Sequence, residues 1–522
     1  VRGYEALSFC EHFPNADQLF EGDRALIDGI RDVVPAILRA NQTPGMSLAL
    51  ARYNRPVWEA SFGFCDVESA CPMTNQSTFR IGSLGKVFVA ISTLQLVEQG
   101  VVSLDGSLSD FMPFPVVNPI SRSHVTVRQV MSHLSGLAGW DTGGVRAQPE
   151  LDSVSALRDM LGEERTGQYG GDYSAVWVSE PGQSPSYSNL GVSLLALMIE
   201  HTNPDGLQYE DFVQRYLFDP LEMKSSLCLR APSAATIREY SLSPLAEGYM
   251  MLGGARMRSP ELFYDCFAGQ GALSRPGDFI HVVSMLLKGG VFNGKRVLQA
   301  SSVKEMLSPQ HSECMPLTGA LPGLVLMLNR WEQARRSFSH AGSYAWGWRS
   351  AAYAWPEHGT ALVISANQIS VPRVSSDIHQ VLRFVEDWLL TEPPTVEASE
   401  SAIDWSWKLS YCRGLLMVEA TYGWLGVCQR PSEVELEAWA SAIEKASESP
   451  RNWSRSGFLQ GARDLLAEPL DREGFREFLS STRVKVNQQE VEQALYELGS
   501  SPDLCIYPTL LHSSTAAARE SW

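Results

Sequence analysis

The sequence predicts an α/β (α+β) protein: an antiparallel β-sheet flanked by helices with an all-helical insert, followed by a C-terminal helical appendage. Three observations carry this. Strand-like runs cluster near the start, at Ser47 to Tyr53 and Val57 to Phe64, and the turn signal Asn54-Arg55-Pro56 makes them a hairpin. Strand-like runs return late, at Tyr344 to Trp355 and Thr360 to Asn367, about the turn Pro356-Glu357-His358-Gly359. Between them, from Asp105 to about Leu321, short helical patterns alternate with Pro- and Gly-punctuated loops. That order suits a sheet whose edges are closed by N- and C-terminal segments.

Each element has a local reason. Leu19 to Leu38 spaces its apolar residues at helical intervals and stops at the breaker cluster Asn41-Gln42-Thr43-Pro44-Gly45. A helix starts at Ser83 with Val87, Ala90, Ile91, Leu94 and Val97 on one apolar stripe and ends at Gly100. Val127 to Leu134, Leu190 to Glu200, Phe279 to Leu287 and Ser301 to Leu307 read as helices, as does Ser376 to Leu390. Composition changes at Thr391-Glu392-Pro393-Pro394-Thr395, which divides the chain into domains 1–392 and 393–522. The second is charged and helical in pattern and holds no catalytic motif.

Composition narrows the chemistry. A formal net charge of −17 disfavours nucleic acid and anionic lipid as partners. Nine cysteines show no CxxC pair and no regular spacing, the pattern of free, mostly buried thiols. His-x-x-x-His pairs are absent, and nothing in the sequence calls for a metal or another cofactor. The longest apolar run, Leu194 to Ile199, is too short for a membrane span. The first residues lack the charged-then-apolar plan of a signal peptide, which favours a cytoplasmic protein.

The chemistry centres on Ser83 and Lys86. Three residues apart on one helical turn, their side chains share a face, and a desolvated amine beside a hydroxyl is placed to take its proton. Spacing alone is weak evidence, because Ser301 and Lys304 match it equally well. About a hundred residues downstream, Tyr187 and Asn189 stand in a loop just before an apolar helix. A phenol near cations has a lowered pKa and can serve as a base, and an asparagine amide can orient a substrate. Ser339-His340-Ala341-Gly342-Ser343 precedes the strand from Tyr344, and glycine on an edge strand lets a substrate lie against backbone.

Together these three elements resemble the class C β-lactamase-like serine hydrolases, a superfamily that includes penicillin-binding proteins, D-aminopeptidases, esterases and fungal transacylases. The likeness covers about residues 20 to 390. It extends to Phe62-Gly63-Phe64-Cys65-Asp66-Val67-Glu68, to Gln99 through Asp105, to Ser132-His133-Leu134-Ser135-Gly136-Leu137, to Asp219-Pro220-Leu221-Glu222-Met223, to Gly269 through Ser274 and to the closing hairpin from Pro356 to Asn367. The resemblance implies a serine β-lactamase/DD-peptidase-like fold. It implies Ser83 as nucleophile, Lys86 and Tyr187 sharing base and acid duty, and Asn189 and His340 beside the substrate. The backbone N–H groups of Ser83 and Ser343, the latter after Gly342, would form an oxyanion hole.

Two departures from the family pattern shape the expected substrate. His340 stands where lactamases and peptidases carry lysine, and a neutral histidine gives no fixed charge for a substrate carboxylate. Gly85 stands where threonine is common, which predicts extra room beside the nucleophile and a bulkier acyl group. Trp140, Tyr173, Trp177, Trp346 and Trp348 are candidates for an apolar acceptor pocket.

The expected activity is serine-dependent acyl transfer from an ester, thioester or amide to water or to a small alcohol or amine. The hydrolase or esterase and the transacylase of secondary-metabolite biosynthesis share this acyl-enzyme. The partners would be a small-molecule acyl donor, with a small-molecule acceptor or an acyl-carrier protein. Two alternatives stand beside it: base-catalysed cyclisation or elimination in the same pocket, and a catalytically silent binding or scaffold protein.

Overall fold

A computed structural model describes residues 8–15, 19–137, 145–146, 176–229, 244–252, 255–260, 263–264, 268, 271–310, 320–329, 336–344, 347–371 and 377–390. The described residues fall into two compact units, one within 1–19 and 44–372, the other within 20–43 and 373–522. The helical tail expected beyond 392 lies outside the described residues.

In the second unit, α1 (Glu21–Asn41) packs against α6 (Asp377–Leu390). Gln42 ends α1 in the left-handed region, its N–H turning back to Leu38 and Arg39 carbonyls. The Thr43 hydroxyl then donates to Asp377 at 2.6 Å, fixing the start of α6.

The first unit is built on an antiparallel sheet. Its strands are β1 (Phe9–His12), β2 (Gly45–Arg52), β3 (Arg55–Asp66), β4 (Ala320–Pro322), β5 (Met327–Asn329), β6 (Ser337–Tyr344), β7 (Trp348–Trp355) and β8 (Thr360–Ala366). Their order in space is β1-β3-β2-β8-β7-β6-β5-β4, with Cys71–Pro72 added against β3. The predicted hairpin is β2–β3. The expected closure of the edges holds on one side, where the N-terminal β1 is the edge strand, and is corrected on the other: the C-terminal β8 meets the N-terminal β2 in the interior, Ala361 opposite Ala51 through Ala366 opposite Met46. Every residue of β2 is buried, as a strand covered on both faces requires.

One helix layer covers this sheet. Helix α5 (Pro276–Leu287) lies across β2, β3 and β8. Arg275, just before α5, donates to Glu59 of β3 at 3.0 Å, to the Asn75 carbonyl at 2.8 Å and to Asp278 at 2.8 Å. Asp278 also accepts the Ser225 N–H at 2.7 Å and the Ser226 hydroxyl at 3.0 Å. This network, centred on the buried carboxylates of Glu59 and Asp278, joins helix, sheet and loop.

Helices α2 (Lys86–Glu98), α3 (Val127–Met131) and α4 (Asn189–Thr202) pack together around a core in which Phe88 packs on Phe218 and Phe279. The single stripe predicted for α2 is corrected, since Lys86 through Leu96 are all buried. Such a helix is enclosed on all sides. The helix predicted over 127 to 134 stops at Met131, because His133 adopts φ 58° in the left-handed region. The strand predicted over 344 to 355 is two strands, β6 and β7. The apolar stretch Tyr344-Ala345-Trp346-Gly347-Trp348 hides the reversal, where the Gly347 N–H donates to the Tyr344 carbonyl at 3.0 Å.

Candidate active site

Ser83 lies in a tight 3₁₀ turn, Gly82–Gly85, that feeds α2. In a 3₁₀ turn, side chains at i and i+3 eclipse, so Ser83 and Lys86 are brought closer than an α-helical turn requires. Lys86 Nζ donates to Ser83 Oγ at 2.8 Å, with both residues buried. The turn is held from behind. Phe79–Arg80 pairs with Ala272–Ser274, which pairs in turn with Leu227–Cys228, and the Ile81 N–H donates to the Ala272 carbonyl at 3.1 Å. Ser301 and Lys304, matched by spacing, project from an exposed face of the helix Ala300–Met306.

Tyr187 closes the constellation. Its hydroxyl hydrogen-bonds Ser83, and Lys86 Nζ stands 4.9 Å from the centre of its ring. Desolvation pushes the Tyr187 phenol well above its ordinary range, and the Ser83 hydrogen bond only partly opposes this. The lowered phenol pKa expected from nearby cations is therefore corrected: desolvation outweighs the Ser83 hydrogen bond, and the resting phenol is neutral. Asn189 follows as the first residue of α4, buried.

His340, Gly342 and Ser343 are residues of β6 itself and do not form a turn before a strand. Beyond Ser339 this strand has left β5, and its edge meets the nucleophile turn. A Cβ at Gly342 would lie 1.9 Å from the Ile81 carbonyl oxygen and 3.0 Å from the Ser83 nitrogen. A Cβ at Gly82, whose φ is 53°, would lie 2.4 Å from the Ser343 carbonyl oxygen. Only two glycines permit this main-chain contact, which sets the backbone of Ser343 beside that of Ser83.

Two imidazoles flank the tyrosine. The His340 ring is centred 6.3 Å and the His133 ring 4.5 Å from the Tyr187 ring. Burial, then the nearby Lys86 charge, lowers each from 6.5 to about 3, so both are neutral at ordinary pH. His340 Nδ1 lies 2.8 Å from the Ala341 carbonyl, a contact that places the proton on Nδ1. This neutral state agrees with the histidine reading above. The room expected beside Gly85 is absent: a Cβ there would lie 2.7 Å from Ala272 Cβ. Trp348 is buried, donates its indole N–H to the Ala246 carbonyl and packs with Tyr344 and Arg80, so it serves the core. Trp177 packs against the hydrophobic core. Trp346, Trp140 and Tyr173 lie outside the described residues.

His133 was read only as part of a framework motif. The available signal was an imidazole in a short loop after a helix, and its partner lies more than 50 residues away in sequence.

A mixed sheet-and-helix fold with a serine and a lysine at the head of a buried helix defines the class of the serine β-lactamases and penicillin-binding proteins. The model of the family described as Beta-lactamase matches residues 24–385, and this chain belongs to that family. It is 28% identical over 282 residues to penicillin-binding protein 4 of Amycolatopsis lactamdurans, covering 52% of this chain and 67% of that protein. Esterase EstB of Burkholderia gladioli is 27% identical over 36% of this chain and 47% of its own length. Penicillin-binding protein 4* of Bacillus subtilis is 28% identical over 33% of this chain, and the chain spans only about a third (35%) of it. Among solved structures, D-amino acid amidase from Ochrobactrum anthropi SV3, complexed with L-phenylalanine, superposes with a TM-score of 0.53 and 26% identity. That match covers 69% of this chain and 96% of the amidase.

Proposed function

We propose that this protein catalyses acyl transfer from an ester, thioester or amide through an acyl-enzyme on Ser83. The observation that carries the reading is the mutual contact of Ser83, Lys86 and Tyr187, with Lys86 Nζ 2.8 Å from Ser83 Oγ. Lys86, in its neutral form, takes the Ser83 proton as Oγ attacks the acyl carbon. The oxyanion is received by the N–H groups of Ser83 and Ser343, donors of a kind worth about 2.7–4 kcal/mol each. Tyr187, neutral at rest, gives its proton to the leaving group and regains one from Lys86. Water, or a small alcohol or amine, then attacks the acyl-enzyme by the reverse path. The esterase and amidase relatives support the ester and amide classes. Neutral His340 favours acyl donors without a carboxylate beside the scissile bond. Transfer to an acceptor, as in secondary-metabolite assembly, is the synthetic arm of the same chemistry.

The test is intact mass of wild type and Ser83→Ala after incubation with a fluorophosphonate and with panels of acyl thioesters and p-nitrophenyl esters. A mass increase in wild type that is absent from Ser83→Ala is expected. A folded wild type that takes up no acyl group from any donor overturns the proposal. Turnover retained in Ser83→Ala does the same and points to Lys86 acting as a simple base.

A further inference from the structure

The geometry points to His133 as the positioning residue for Tyr187, holding the phenol against Ser83 and Lys86 by gripping the chain on both sides of it. This assignment rests on the acyl-transfer reading for its consequence, but not for its structural content.

Three contacts converge on one residue. The His133 carbonyl accepts the Ser186 N–H at 2.8 Å. Its Nδ1 accepts the Ser188 N–H at 3.3 Å. Its ring lies along the Tyr187 ring, with centres 4.5 Å apart and planes at 36°. Residues 186, 187 and 188 are thus each touched by the same histidine, and Tyr187 has no freedom to slide along the chain without breaking one of the bonds. Ser188 is further tied to the scaffold, since its hydroxyl accepts the Gly191 N–H at 3.1 Å and caps α4.

The clamp has its own anchor. His133 leaves α3 with φ 58°, a left-handed conformation that non-glycine residues adopt only where the surroundings require it. The neighbouring main chain runs on beside the same loop, the Gly182 N–H donating to the Leu134 carbonyl at 2.7 Å and the Val178 N–H to that of Gly136 at 2.9 Å. The Nδ1 contact also fixes the tautomer: a nitrogen that accepts leaves the proton on Nε2. That Nε2 is buried and has no hydrogen-bond partner among the described residues. An aliphatic side chain would fill the space without this orphan, but would lose the acceptor for Ser188.

The experiment compares His133→Ala and His133→Asn in the full-length protein. Asparagine keeps an acceptor near the position of Nδ1 and tolerates the left-handed region; alanine does neither. For Ser83-dependent turnover of an activated ester, His133→Ala is expected to lower kcat about a hundredfold with KM little changed, the order of loss seen when a reacting group shifts by about an ångström. His133→Asn is expected to recover most of it, and neither variant is expected to move the pH limbs of the rate. A folded His133→Ala with wild-type kcat, a His133→Asn as slow as His133→Ala, or a loss confined to KM overturns the assignment. Crystal structures of both variants give a reading without turnover. The Tyr187 ring is expected to keep its place in His133→Asn and to leave it in His133→Ala. An unmoved ring in His133→Ala overturns the assignment even if Ser83 forms no acyl-enzyme, whereas a moved ring supports it in that case too.

Discussion

At the scale of the residue, Tyr187 bears on the rate and the two imidazoles on the pH dependence of stability. Tyr187→Phe removes the hydroxyl proposed to protonate the leaving group and keeps the ring. Its kcat is expected to fall by about 10²–10⁴ with KM little altered, measured by steady-state ester hydrolysis. His133 and His340 act on stability. Each has an ordinary value of 6.5 and a folded value of about 3. Between those limits the unfolded chain binds protons that the folded chain refuses. Stability is therefore fully present above pH 6.5 and is lost as pH falls towards 3, with a slope of up to about 1.4 kcal/mol per pH unit for each imidazole. Urea titrations at pH 7 and 4.5 are expected to show this loss, reduced in the double variant His133→Asn/His340→Asn. Equal pH slopes for wild type and double variant refute the assignment. Ser83, Lys86 and Tyr187 were legible because each sits in a short motif. The state of Tyr187 was not, because desolvation depends on everything packed around the phenol and leaves no trace in its local sequence.

At the scale of the element, the meeting of β6 with the nucleophile turn matters most. Gly342→Ala puts a methyl group where the Ile81 carbonyl already stands, so β6 must retreat and carry the Ser343 N–H with it. The expected result is a loss of about 10²–10³ in kcat, the scale of one lost oxyanion donor, with the circular dichroism of the folded protein retained. Wild-type kcat in this variant counts against the main-chain oxyanion pocket. The hairpin β2–β3 and helices α4 and α5 were legible from periodicity and punctuation. The reversal between β6 and β7 was not, since Tyr344 and Trp348 are apolar core residues on either side of it, and no polar turn cluster marks the spot. Helix α3 was read too long for the opposite reason. Its apolar pattern continues past Met131, but the backbone leaves the helix at His133.

At the scale of the molecule, the Arg275 network is the junction between helix and sheet. Asp278→Ala would leave the half-buried Arg275 with one carboxylate fewer and the Ser225 N–H without its acceptor. Breaking a buried ion pair from one side costs about 3–5 kcal/mol. The urea midpoint is expected to drop with unchanged m-value, and a shift under about 1 kcal/mol refutes the role given to the junction. Strand order was the least legible feature. That β2 pairs with β8 depends on two segments more than 300 residues apart, and each reads only as a buried strand with no mark of its neighbour.

The same long reach governs when the serine becomes reactive. Ser83 and Lys86 come together within one turn, which a short segment forms quickly. Ser343 lies about 260 residues further along, and closing so long a loop is among the slower events of folding. On the proposed mechanism, a newly made or refolding chain thus holds an inert serine until β6 docks. Recovery of covalent labelling reports the closure of the domain, whereas recovery of helical signal reports only its beginnings.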